Sequence, residues 1–224
     1  MKNKHAIFPI IMSALAFLCF LFIAFCMSTY VQPLWGKTML LILPSVILAA
    51  VAVLAFKGKL DSRKTENLTV VLSVVLIVAS FAYTVVLSVQ TSTIETTDVK
   101  FYERACKVVG DEEGVTGIFP QKIPADAENI DFRYFPGFLQ GAEYLELSYT
   151  TTEDFLTDWA EFLESKAEWI GSNMQWHEEN NFFFSGEDSV RYQLYWEGDW
   201  NHNEQSYVLI DRLNNRITFY YENG

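Results

Sequence analysis

Hydrophobic and polar positions follow one pattern over the first 94 residues and another over the rest. Three early stretches, 6–36, 38–56 and 67–94, contain no Asp, Glu, Lys, Arg or His. Each holds the roughly 18–25 apolar residues that a helix needs to cross about 30 Å of hydrocarbon. The pattern predicts three transmembrane helices, at about 6–31, 38–56 and 68–90. Beyond residue 94 the long runs stop and short periodic segments take over, as in a folded, water-facing domain.

Within that domain, 98–109 reads as a helix. Thr97 or Asp98 caps it, Glu103 and Lys107 are spaced i,i+4, and Gly110 stops it. Val99, Tyr102, Cys106 and Val109 share one of its faces. Phe119-Pro120 and Ile123-Pro124 make an extended lead-in. Residues 130–135 alternate as a strand ending at Pro136-Gly137, and 144–149 alternate again. Thr151 or Thr152 then caps an amphipathic helix of about four turns over 153–167. Its apolar face is Phe155, Leu156, Trp159, Phe162, Leu163 and Ala167; its solvated face is Asp154, Asp158, Glu161 and Glu164. Strands are predicted at 181–185, 190–196, 206–211 and 216–221, and Asn214-Asn215 suits a two-residue type I′ hairpin.

The fold class that results is three N-terminal transmembrane α-helices followed by an extracytoplasmic α+β domain, an antiparallel sheet packed against one main helix. The divisions are a membrane anchor (1–94), a juxtamembrane helix and acidic loop (95–114), and the α+β domain (115–224).

Charge supplies the orientation. Residues 1–94 carry seven basic residues against Asp61 and Glu66, a net of +5; this leaves nine basic and 26 acidic residues for 95–224, a net of −17. Lys2 and Lys4 precede the first span, and Lys57, Lys59, Arg63 and Lys64 fill the second loop, whereas the first loop has only Lys37. Short basic loops stay in the cytoplasm, which sets the amino terminus inside and the domain outside a multi-pass cell-membrane protein. The first span also has the charged start of a signal peptide, but its apolar run is too long and Ala24-Phe25-Cys26 is a poor cleavage site. The domain's acidity excludes nucleic-acid binding, because it repels phosphates. A basic protein or a cell-envelope partner suits it better.

Inside the spans, the lack of ionisable residues argues against ion coupling. Ser73, Ser80, Thr84 and Ser88 on the third span, and Ser45, Ala49 and Ala52 on the second, form small-residue stripes that let helices approach closely. Pro44 kinks or begins the second helix. Cys19 and Cys26 share a helical face as packing groups, and Cys106, alone in the domain, cannot form an internal disulfide.

Catalytic signatures are missing: no G-x-S-x-G, phosphate loop, H-E-x-x-H, paired C-x-x-C or dinucleotide fingerprint occurs. His177 and His202 neighbour carboxylates without metal-ligand spacing. Asp199-Trp200-Asn201-His202-Asn203-Glu204 opens like a calcium loop, yet Glu204 and Ile210 stand where the motif wants glycine and a bidentate glutamate. No metal, cofactor or catalytic residue is therefore assigned. The stretch Phe119-Pro120-Gln121-Lys122-Ile123-Pro124-Ala125-Asp126-Ala127, with Phe132-Arg133-Tyr134, resembles segments of uncharacterised membrane-anchored proteins of Gram-positive bacteria. That resemblance implies a bacterial surface domain and carries no activity. The expected function is a surface-displayed recognition, sensing or accessory domain. An immunity-type or inhibitor protein is the alternative, and a carboxylate-based envelope hydrolase the third reading.

Overall fold

The computed structural model describes residues 6–109, 118–138, 141–180, 189–198 and 203–224. Contacts divide the chain into two compact units, Met1–Thr91 and Ser92–Gly224.

The first unit contains three helices long and apolar enough to cross a membrane, Ile7–Thr29, Trp35–Phe56 and Ser62–Thr93. The first is α1. The second joins α2 (Trp35–Thr38) through a 3₁₀ turn, Met39–Ile42, to α3 (Leu43–Phe56). Pro44 sits in the first turn of α3, inside the second span, at the point where the 3₁₀ turn gives way to regular α-helix. The third helix is α4 (Ser62–Thr93).

Ser13 on α1 and Ser45 on α3 bond reciprocally, each hydroxyl donating to the other's carbonyl at 2.9 and 3.0 Å. This seam uses the second span's small-residue stripe. The third span's stripe differs from the expected one: Thr65, Thr69, Ser73 and Thr91 are buried, but Ser88 is exposed. Its threonines satisfy themselves, donating to carbonyls four residues back at Asp61, Thr65, Ser80 and Leu87. Phe20, Met27, Leu41 and Leu87 form an apolar cluster. Lys37 donates to Gln90 Oε1 at 2.8 Å, so the first loop and the carboxyl end of α4 lie at the same end of the bundle. Outward-facing apolar side chains such as Phe22, Phe25 and Phe81 suit lipid tails. Cys19 is exposed and Cys26 half-buried.

The second unit is a six-stranded antiparallel sheet with helices. Its strands are β1 (Glu128–Phe138), β2 (Gly141–Thr150), β3 (Trp169–Ser172), β4 (Val190–Gly198), β5 (Asn203–Asp211) and β6 (Arg216–Asn223). They are ordered β1-β2-β6-β5-β4-β3. Period-2 alternation puts Phe132, Tyr134, Leu145, Leu147, Tyr149, Val208, Ile210, Ile217, Phe219 and Tyr221 on one buried face. Over it lie α5 (Tyr102–Val109) and α6 (Glu153–Glu164). Tyr102 meets Phe132 edge-on at 5.7 Å, Trp159 meets Phe219 edge-on at 5.1 Å, and Phe155 packs on Tyr149. On the opposite face, α7 (Asn173–Glu179) covers the β3–β4 end.

Several elements depart from the sequence expectation. The expected juxtamembrane segment belongs to the domain: Thr96 exchanges two backbone hydrogen bonds with Tyr134, and Tyr102 Oη donates to the Pro120 carbonyl. Asp98 is the cap, accepting from the Lys100 amide. The buried positions of α5 are Tyr102, Ala105 and Val109, with Val99 exposed, because the chain begins in a 3₁₀ turn that shifts the phase.

β1 continues through Pro136-Gly137 to Phe138. The Tyr134 amide points to the outer edge, toward Thr96, so that of residue 136 would point there too and no ladder bond is lost to proline. α6 has three turns, not four, and Thr152 caps it. Ala167 lies outside it because Glu168 already donates to the Gln193 carbonyl on the way into β3. The last hairpin is a four-residue loop, Asp211 pairing with Arg216. Asn215 alone of the two asparagines has positive φ, and the Asp211 carboxylate accepts from the Leu213 and Asn214 amides, which pulls the turn wider. β3 and α7 were not anticipated. The expected strand 181–185, Gly110 and the Asp111–Gly114 loop lie outside the described residues.

Candidate functional site

The face of the sheet turned away from α5 and α6 is polar and half-exposed, and it carries the domain's least routine chemistry. Cross-strand pairing aligns Arg133, Glu146, Tyr220, Tyr207 and Gln193 across β1, β2, β6, β5 and β4, with Trp169 of β3 completing the row.

Arg191 is the centre of one end. Its side chain is only 1% exposed. Nε donates to Gln193 Oε1 at 2.7 Å, and the two terminal nitrogens donate to Asn173 Oδ1 at 3.2 Å and Gln205 Oε1 at 3.0 Å. The guanidinium lies 3.6 Å from the Tyr207 ring centre and 4.6 Å from that of Trp176. The planar cation is thus clamped between two aromatic faces, and three of its N–H groups donate to side-chain amide oxygens. The nearest relay to a negative charge runs through Gln205, which donates to Glu222 Oε2 at 2.7 Å. Burial lowers the Arg191 pKa to about 10, which leaves the side chain charged at neutral pH. Burial likewise pushes Tyr207 up to about 12, despite the pull of Arg191.

Aromatic contacts continue on both sides of this cation. Trp176 meets Trp169 and Trp196 edge-on at 5.2 and 5.8 Å. Tyr207 stacks on Tyr220 at 4.8 Å, and Phe135 stacks on Tyr144 at 5.7 Å near β1. Glu146 lies between the two stacks. Burial raises its pKa, opposed chiefly by Arg133. Arg133 also reaches Asp131 at 3.6 Å, Arg216 donates to Ser148, and Tyr144 Oη donates to Glu95 at 2.9 Å. Arg191, Gln193, Asn173 and Trp176 are buried and brace this face from within, while the partly exposed rings of Phe135, Tyr144, Tyr220, Trp169 and Trp196, with alternating charge beside them, form the part open to a polar ligand.

The residues singled out from the sequence fall apart. His177 is on α7, its pKa lowered by burial and then by Arg191. Cys106 is half-buried on α5; burial raises its thiol, which disfavours the nucleophilic thiolate. His202 and Asp199–Asn201 lie outside the described residues. The exposed carboxylates of α6 stay on its solvent side, opposite the polar face. Among the described residues no group of three or more His, Cys, Asp or Glu side chains could hold a metal ion. Sequence reading missed Arg191, Gln193, Gln205 and Trp176. The one signal was that Arg191 and Gln193 alternate with Tyr192 on a strand; that they are buried depends on the covering helix α7. Comparison with protein-family models, curated proteins and solved structures yields no match.

Proposed function

We propose that this chain is a membrane-held recognition protein of the bacterial cell surface, whose extracytoplasmic domain binds a polar envelope ligand on the Arg191–Glu146 face of its sheet. The observation that carries this reading is the aromatic series interrupted by a buried cation: Phe135–Tyr144, Tyr220–Tyr207–Arg191, then Trp176 with Trp169 and Trp196. Partly exposed aromatic plates held rigid by the buried Arg191 cluster supply contact area at low entropic cost, as sugar rings and peptide planes require.

The immunity-type reading draws on one separate observation, the domain's net charge of −17. Such a surface would draw in a basic partner by long-range attraction that salt suppresses.

Both readings are tested by titrating the full chain in neutral nanodiscs and following tryptophan emission. A neutral N-acetylglucosamine tetramer and a decalysine peptide serve as probes. Recognition on the sheet face predicts tetramer binding that Trp196→Ala or Tyr144→Ala weakens about two- to tenfold, as expected for losing one aromatic contact. Binding of decalysine alone, abolished by salt and indifferent to those substitutions, would support the acidic-surface reading instead. Failure of both probes, with the fold intact, would count against the proposed sheet-face specificity.

A further inference from the structure

The polar face leaves one charged feature of the domain unused. A groove of about 670 Å³ runs along α5, lined by Lys100, Arg104, Lys107 and Lys122 together with Glu103 and Ile123. Four of the nine basic residues of a segment with net charge −17 thus converge on one place. Among the described residues that line the groove or pair with its cations, Asp98, which pairs with Lys100, and Glu103 are the acidic ones, against four basic side chains.

We propose that this groove docks onto the anionic phospholipid headgroups of the membrane that α4 leaves. Three observations combine here. The first is charge: anionic headgroups attract clustered Lys and Arg, while the rest of the acidic domain is repelled, and the two effects orient the same face toward the bilayer. The second is apolar surface beside the cations. Val99 and Val108 are 36% and 50% exposed on the same helical segment, the mixture that lets a short helix lie in an interface. Tyr102, Ala105 and Val109 are buried in the domain, so the basic side of α5 cannot turn inward. The third is the tether. Only six residues lie between Thr93, the end of α4, and Lys100, which restricts that lysine to within about 25 Å of the end of the helix. The sheet-face ligand plays no part in this inference, which holds for either leaflet.

The test uses the full chain with Cys19→Ala, Cys26→Ala, Cys106→Ser and Val108→Cys, labelled with an environment-sensitive fluorophore at position 108. It is placed in neutral phosphatidylcholine nanodiscs or in nanodiscs with about 30 mol% phosphatidylglycerol. Docking predicts a blue shift and quenching by lipid-borne spin labels in the anionic discs only, reversed by about 0.5 M salt. Each of Lys100→Gln, Arg104→Gln, Lys107→Gln and Lys122→Gln should lower the docked-to-undocked ratio about fivefold. Glu103→Gln should raise it, which guards against reading a misfolded variant as a loss. Equal signals in the two disc types, or a signal that survives all four glutamines together, would overturn the proposal. So would a shift produced by inorganic phosphate in neutral discs, which would make the groove a site for free phosphate.

Discussion

Leu163→Ala tests how α6 holds the domain together. Leu163 is fully buried over the apolar face of the sheet, at 0% exposure. The substitution removes three carbon atoms, worth about 2.4 kcal/mol at roughly 0.8 kcal/mol each. A residual cavity of about 40 Å³ adds about 1 kcal/mol, so the domain should lose about 3.5 kcal/mol. Phe162, its neighbour in sequence, is 41% exposed and leaves no closed cavity. Phe162→Ala should therefore cost only about 1–1.5 kcal/mol, although a larger side chain is removed. Urea unfolding of the full chain in nanodiscs, followed by tryptophan emission, reads the domain, because only Trp35 of the six tryptophans lies in the spans. With a slope of about 1.5 kcal/mol/M, Leu163→Ala should lower the midpoint by about 2 M and Phe162→Ala by less than about 1 M. Equal shifts, or a larger shift for Phe162→Ala, would refute the packing described for α6.

Thr152→Ala removes the side chain that accepts from the Phe155 amide and should cost about 1 kcal/mol in the same assay, with Thr151→Ala nearly silent. Glu146→Gln tests the raised carboxyl on the polar face. A group whose pKa is higher folded than unfolded favours folding below its unfolded value, near 4.5, and loses that contribution as pH rises through the folded value. The glutamine variant should thus gain stability over the parent at pH 7.5 and show little difference near pH 4; a constant difference across that range would contradict it. His177 has the opposite sign: its lowered pKa favours folding above about 6.5 and loses that contribution as pH falls through the folded value, so His177→Gln should flatten the loss of stability on acidification. For orientation, with the three native cysteines replaced, Leu213→Cys should react with an impermeant maleimide on intact cells and Asp61→Cys should not; the reverse pattern would invert the topology.

By itself the sequence determined the elements whose cause is local. Three charge-free runs dictate membrane helices because no other backbone arrangement satisfies its own hydrogen bonds in hydrocarbon without neighbouring chains. Alternation over 190–196, 206–211 and 216–221 and the i,i+3/i+4 pattern of α6 dictate strands and a helix because side-chain periodicity follows backbone geometry. Tertiary structure decided what depends on a distant partner. β3 is four residues long, and pairing with β4 makes it a strand. Pro136 stays within β1 because β1 is at the sheet edge. In sequence, Arg191 and Gln193 fall on the predicted strand 190–196, and Gln205 lies just before the predicted strand 206–211. They form a buried cluster only because α7 lays Trp176 over Arg191 while β5 supplies Tyr207 and Gln205 from below. Burying a guanidinium is unfavourable unless its donors find partners; Gln193 is two residues away on the same strand, but Asn173 and Gln205 come from α7 and β5, so no local pattern could announce the whole set.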